Sequence, residues 1–254
     1  MNPQSSIVSE SYRVTNYGNN RFTQLNDNFE NEDPLNFNDN LNIDSNNKGD
    51  TSLKEYEFKI IILGEFNVGK TSLIKRYVEN KFNESNENTN NLNIYNKKIR
   101  IDNKTIVKLN IWDTAGEEKL TSLMKNHFKD ASGCLIVYDI SRKSTFNQIE
   151  KWINEIKDNS PHYCINVLIG NKSDLSVERK VDCEEGVNLG KKYNFSFYEC
   201  SAKSGNNVAI AFESLCNSII DRRNEGDIEE RKTIRINQND NNENKKGKCC
   251  LFKK

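Results

Sequence analysis

The run Gly64-Glu65-Phe66-Asn67-Val68-Gly69-Lys70-Thr71-Ser72 constrains this chain more than any other segment. It satisfies G-x-x-x-x-G-K-[ST], follows directly on the apolar stretch 58–63, and leads into an amphipathic stretch over 71–80. Strand, glycine-bracketed loop and helix in that order make a phosphate cradle. Such a loop wraps an anion with backbone N–H groups turned inward, so glycine is needed where the backbone turns or approaches closely. Lys70 would place a cation on the outer phosphate oxygens, Thr71 would offer a hydroxyl to a divalent metal, and the helix start would add partial positive charge. Gly64, Asn67, Val68, Gly69 and Ser72 complete the candidate cradle. The rival reading is a glycine turn with no ligand, and the placement between strand and helix weighs against it.

The rest of the middle region alternates in the same way. Apolar runs at 58–63, 98–101, 105–112, 133–139, 165–170 and 197–200 read as strands, and stretches at 71–80, 144–159, from 182, and 207–222 read as helices. Phe146, Ile149, Trp152, Ile153 and Ile156 fall on one helical face, and Asp182 with Glu185 has capping-box spacing. Continuous apolar runs at 60–63 and 135–137 predict a sheet covered on both faces. The run 105–112 alternates and joins 98–101 through Asp102-Asn103, which predicts a hairpin at one edge. Together these predict a doubly wound α/β domain.

Composition matters here because it is segregated. Formal net charge is zero, yet residues 1–54 carry −4, residues 223–254 carry +3 and the middle carries +1. The zero removes the simplest argument for a nucleic-acid partner. Thirteen asparagines in the first fifty residues, with few spaced apolar side chains, predict an acidic extension over 1–54 without a core of its own. It reads either as a solvated extension or as a partner-binding arm. The domain is expected over 55–222 and a flexible basic tail over 223–254. No apolar run approaches about 20 residues, so no transmembrane helix is expected. The first ten residues have no basic and apolar leader pattern, so no secretory signal is expected. Seven cysteines then read as reduced thiols in the cytosol. Cys134, Cys164, Cys183, Cys200 and Cys216 read as small apolar residues, and His127 and His162 lack partners at metal-ligand spacing.

Three further motifs sit at strand carboxyl ends, where open α/β sheets bind ligands. Trp112-Asp113-Thr114-Ala115-Gly116 could hold a metal through Asp113 and offer the Gly116 N–H to a terminal phosphate. Asn171-Lys172-Ser173-Asp174 and Ser201-Ala202-Lys203 follow the next strands. A carboxylate at Asp174 can accept both N1–H and the 2-amino group of guanine, which adenine cannot supply. That disfavours a kinase or ATPase acting on adenine nucleotides.

With this ordered set the chain resembles a Ras-superfamily small GTPase over residues 56–222. Lys108-Leu109-Asn110-Ile111-Trp112, Val137-Tyr138-Asp139-Ile140-Ser141 and the Cys249-Cys250 pair are similar to the Rab branch. The run 64–73, Arg76-Tyr77 and Asn80-Lys81-Phe82 most resemble endosomal Rab proteins. The resemblance implies the G-domain form of the P-loop NTPase fold: a six-stranded, mostly parallel sheet with one antiparallel edge hairpin and helices on both faces. It implies GTP and GDP as ligands, Mg²⁺ as cofactor, and hydrolysis of GTP to GDP and phosphate. The expected partners are an exchange factor, a GTPase-activating protein, effectors, and an escort or GDI-type chaperone. The expected place is the cytoplasmic face of an intracellular, endosomal membrane, cycling with the cytosol in vesicle and protein transport. By the same resemblance Phe82 packs against guanine, Asn171 and Asp174 read the base, Lys172 covers it, and Ser201, Ala202 and Lys203 approach its O6. Metal ligation falls to Thr71, Asp113 and Thr89. Thr89 lies nineteen residues after Lys70, where the family's switch threonine closes on the γ-phosphate; the plain alternative is an ordinary loop residue.

The sequence departs from the family in three places. Phe66 stands inside the phosphate loop where a small residue is usual. Glu117 stands where glutamine usually orients the attacking water; a carboxylate lacks the amide donor and faces an anionic transition state. Asn90-Asn91 follows Thr89 in place of the usual Ile-Gly, so the effector surface is atypical. Slow intrinsic hydrolysis is therefore expected, with Lys70, Thr89 and Glu117 as the catalytic set. The alternative is a nucleotide-binding module that barely hydrolyses and holds effectors constitutively. A Phe66 ring turned to solvent and a Glu117 that still positions water would restore ordinary rates. Five lysines and no acid surround Cys249-Cys250 in the last ten residues, the setting of a prenylated membrane anchor. The CaaX pattern does not fit, and four residues follow the pair; palmitoylation or an unmodified thiol pair are the alternatives.

Overall fold

The computed structural model describes residues 53–84, 92–114 and 126–226. Among these residues six strands form one sheet: β1 (Lys54–Leu63), β2 (Asn93–Asp102), β3 (Thr105–Asp113), β4 (Gly133–Asp139), β5 (Ile165–Asn171) and β6 (Ser196–Glu199). Their spatial order is β2-β3-β1-β4-β5-β6, and only the β2–β3 pair is antiparallel. This is the sheet expected from the sequence, with its hairpin at one edge. The turn itself falls one residue later than expected: Asp102 pairs with Thr105 across Asn103-Lys104, and the Lys104 N–H donates to Asp102 Oδ1 at 2.7 Å.

Side chains of each central strand go alternately to two apolar layers, as the period of a strand dictates. Phe58, Ile60 and Ile62 of β1, with Leu135 and Val137 of β4, enter one layer; Ile61 and Leu63, with Ile136 and Tyr138, enter the other. Burial on both faces is why these runs read as continuous apolar sequence. The first layer is closed by α1 (Lys70–Glu79), through Leu73, Ile74 and Tyr77, and by α5 over residues 208–226, through Phe212, Leu215 and Ile219. Tyr77 stacks on Phe212 with ring centres 4.1 Å apart.

The second layer is closed by α2 (Lys143–Asn147), α3 (Ile149–Asn159) and α4 (Cys183–Tyr193). The sequence predicts one helix over 144–159; the chain instead breaks it at Gln148, which caps α3, while Ile149, Trp152, Ile153 and Ile156 keep the expected buried face. Asp182 and Glu185 form the expected capping box, with the Asp182 N–H donating to Glu185 Oε2 at 3.0 Å. α5 extends to residue 226, where Arg223 lies 4.8 Å from the Phe58 ring centre and Tyr56 meets Asn224. Among the described residues no helix is long and apolar enough to cross a membrane.

Candidate functional site

Every described motif residue gathers where β1, β3, β4, β5 and β6 end. The loop after β1 rises from Gly64, whose φ of +144° and contact with β4 admit no side chain: a Cβ there would lie 2.2 Å from the Val137 carbonyl oxygen. Gly69 closes the loop at φ +93°, and a Cβ there would meet Asn171 Nδ2 at 2.4 Å. Asn67 between them is also left-handed at φ 58°. No side chain caps the start of α1 and no acidic residue stands in its first turn, so the positive end of the helix opens into the loop.

Lys70 is 6% exposed and bends back, donating from Nζ to the carbonyls of Gly64 at 2.8 Å and Glu65 at 3.0 Å. Burial lowers its ammonium to about 8 against the attraction of Asp113 and Glu65, and the charge of Arg142 acts in the same direction as burial. A cation held at such a cost suits an anionic ligand.

Asp113 ends β3 fully buried and accepts a hydrogen bond from Thr71 Oγ1 at 2.7 Å on Oδ2. Its Oδ1 is buried with no hydrogen-bond partner among the described residues. Burial pushes this carboxyl up, against the Thr71 bond and the Lys70 charge. A hydroxyl and an unsatisfied carboxylate oxygen beside a phosphate cradle form a hard-oxygen set that fits Mg²⁺.

Asn171, Lys172 and Asp174 follow β5. The Asn171 amide donates to the Val68 carbonyl at 2.8 Å, and its Oδ1 accepts the Ala202 N–H at 3.2 Å. It thus ties two loops together with one of its two amide N–H groups and one lone pair, which leaves a second N–H for a ligand. Asp174 is exposed, with Oδ1 held by the Ser201 hydroxyl at 2.6 Å. Lys172 is left-handed at φ 67° and spans from the Asn67 carbonyl at 2.9 Å to Asp139 Oδ2 at 2.8 Å. Arg76 of α1 fastens the loop after β6 by donating to the carbonyls of Ala202 at 2.8 Å and Lys203 at 2.7 Å. Phe82 is half-buried against the first apolar layer, and Lys203 pairs with Glu84 at the surface.

Sequence reasoning missed Asp139 and Arg142. Asp139 is buried, accepts from Ser141 N–H, Ser141 Oγ and Lys172, and binds Arg142 Nε at 3.1 Å. Burial alone would raise its carboxyl, yet the bonds from Lys172 and Ser141 hold it below its ordinary value. A carboxylate ending an otherwise apolar strand was the available signal. Phe66 is 47% exposed at the crest of the loop, so its ring faces solvent. Thr89, Gly116, Glu117, Cys249 and Cys250 lie outside the described residues.

A model of the Ras family matches residues 59–221. The chain is 40% identical over 167 residues to the Ras-related protein Rab-11B of Dictyostelium discoideum, covering 65% of this chain and 76% of that protein. It is 34% identical over 214 residues to the Ras-related protein RABA5a of Arabidopsis thaliana, covering 79% of this chain and 96% of that one. The Ras-related protein rab-39 of Caenorhabditis elegans is 34% identical over 180 residues, covering 69% and 79%.

Proposed function

The chain belongs to the Ras family as a Rab-type small GTPase of membrane traffic, and from that premise we propose how its own residues bind guanine nucleotide and why it turns over slowly. The observation that carries the reading is the buried pair of Lys70 and Asp113 facing the loop, a cation with a depressed pKa beside a carboxylate oxygen that no group among the described residues satisfies.

In this reading the loop amides and Lys70 hold the phosphates of GTP or GDP. Asp174, its plane set by Ser201, accepts N1–H and the 2-amino group of guanine. The Lys172 stem and the Phe82 ring cover the base, and the 201–203 loop approaches its O6. Thr71, Asp113 and, with GTP, Thr89 would hold Mg²⁺, which would supply charge neutralisation to the phosphate oxygens.

Hydrolysis forms a bond from a water oxygen to the γ-phosphorus and breaks the bond to the β–γ bridging oxygen, leaving GDP and phosphate with the water's proton passed to the phosphate. Glu117 is a poor partner for that water, because its charge repels the transition state and it has no amide donor. Phe66 adds bulk at the loop crest, where an activating protein would approach. The solvent-facing Phe66 ring meets one of the two conditions for ordinary rates, so slow intrinsic turnover, and its extreme in which effectors are held constitutively, rests on Glu117.

Cys249 and Cys250 with the neighbouring lysines would anchor the protein by prenylation to the cytoplasmic face of an endosomal membrane. An exchange factor, an activating protein, effectors and an escort or GDI-type chaperone would move it through its cycle. Single-turnover assays with GTP and ATP test the reading. GTP is expected to bind in strong preference to ATP, Asp174→Ala to erase that preference, and Phe66→Gly with Glu117→Gln to raise the hydrolysis rate. Equal binding of ATP would sink the guanine assignment, and an unchanged rate in the double variant would sink the account of slow turnover.

A further inference from the structure

The phosphate loop has five consecutive carbonyls, from Gly64 to Val68, and each accepts a side-chain hydrogen bond. Lys70 takes those of Gly64 and Glu65, Arg142 Nη2 takes Phe66 at 2.7 Å, Lys172 takes Asn67 at 2.9 Å, and Asn171 takes Val68 at 2.8 Å. Lys70, Lys172 and Asn171 belong to motifs already assigned to the site. Arg142 belongs to none.

We infer that Arg142 is a positioning residue for nucleotide binding: it latches the Phe66 peptide so that the loop amides stay turned toward the phosphates. In a planar trans peptide the carbonyl and the following N–H point in opposite directions. A donor that fixes the Phe66 carbonyl therefore fixes the Asn67 N–H the other way. Lys172 and Asn171 do the same for the N–H groups of Val68 and Gly69, so Arg142 is the first of three adjacent latches on the crest.

Its second bond explains the choice of residue. Arg142 Nε meets Asp139 Oδ2 at 3.1 Å, and Lys172 Nζ meets the same oxygen at 2.8 Å. One buried carboxylate at the end of β4 thus anchors both latching cations. Arg142 bridges Asp139 and the Phe66 carbonyl through two different nitrogens of one rigid plane, Nε and Nη2, whereas Lys172 reaches both of its acceptors from a single Nζ. The position also matters electrically, because the Arg142 charge reaches Lys70 and favours an anion beside it.

This inference rests on the guanine-nucleotide reading of the site, and the experiment separates the two. Release of a fluorescent GDP is followed for the full-length protein, Arg142→Ala and Arg142→Lys, with the ³¹P resonance of the bound β-phosphate as a second reading. Asp139 keeps Lys172 and Ser141 in Arg142→Ala, so the fold retains its anchor. Loss of one charge-assisted hydrogen bond should speed release about tenfold in Arg142→Ala. The β-phosphate resonance should move, and Arg142→Lys should recover part of both effects. Release within about twofold of wild type, an unmoved resonance, or a lysine variant no better than alanine would overturn the latch while leaving the nucleotide site standing. A wild-type protein that retains no guanine nucleotide would overturn both.

Discussion

Two strands of the sheet end in a buried aspartate, and the surroundings of the two carboxylates are opposite. Asp139, at the end of β4, has donors from a hydroxyl, a backbone N–H and two cations, and it is held below its ordinary pKa. Asp113, at the end of β3, has the Thr71 hydroxyl on one oxygen and no partner on the other among the described residues, and burial holds it above its ordinary pKa. Buried carboxylates are costly unless satisfied. Asp139 is satisfied by the protein and serves as an anchor. Asp113 is left incomplete, which is the condition of a group that completes itself with a ligand.

The largest expected effect falls on the anchor. Asp139→Ala strands Lys172 and Arg142 and should cost about 2–3 kcal/mol of stability, a buried ion-pair loss discounted because both cations reach solvent. Denaturant unfolding of the nucleotide-loaded protein measures it, and a change near zero would remove the distinction between the two aspartates. Its pH dependence has a definite sign: the depressed pKa means that the contribution is present above the ordinary carboxylate value and is lost as pH falls through and below it.

Asp113→Asn should leave the fold as stable as before or slightly more so, because a raised carboxyl is a strain relieved by neutralisation. What it should remove is sensitivity to magnesium. GDP release from wild type should be about tenfold slower with millimolar Mg²⁺ than with chelator, and the variant should show nearly equal rates. A variant that keeps the full magnesium effect would make Asp113 a structural residue like Asp139.

The smallest effect is a proton. Lys70 sits at about 8 without ligand, so phosphate binding should return it to full charge. Loading nucleotide-free protein at about pH 9 should take up roughly one proton, and at about pH 7 almost none. For the same reason the ligand-free fold should gain stability as pH rises from 8 toward the ordinary lysine value, since the unfolded chain then binds more protons than the folded one. No uptake at the higher pH would place the lysine outside the cradle.

Much of this was legible along the chain. The glycine spacing and the strand before it located the cradle, because a phosphate loop depends on local backbone geometry. The order of Asp113, Asn171 and Ser201 after successive apolar runs located the rim, because a parallel sheet brings strand ends together. The Asp139–Arg142 anchor was hidden for the opposite reason. Asp139-Ile140-Ser141-Arg142 reads locally as a polar turn after a strand, and its meaning lies in Phe66 and Lys172, which are remote in sequence. The same holds for Asn171, whose amide could be placed at the rim by pattern but not assigned to Val68 and Ala202.

The last described helix joins two opposite ends of the domain. α5 begins beside the 201–203 loop and runs along the sheet to residue 226, against the outset of β1. At 1.5 Å per residue its length is about 28 Å. Residue 226 thus sits beside the start of β1, at the end of the sheet opposite the candidate nucleotide mouth. A ligand or partner that meets the strand ends therefore meets the candidate site without passing the point where the described helix stops.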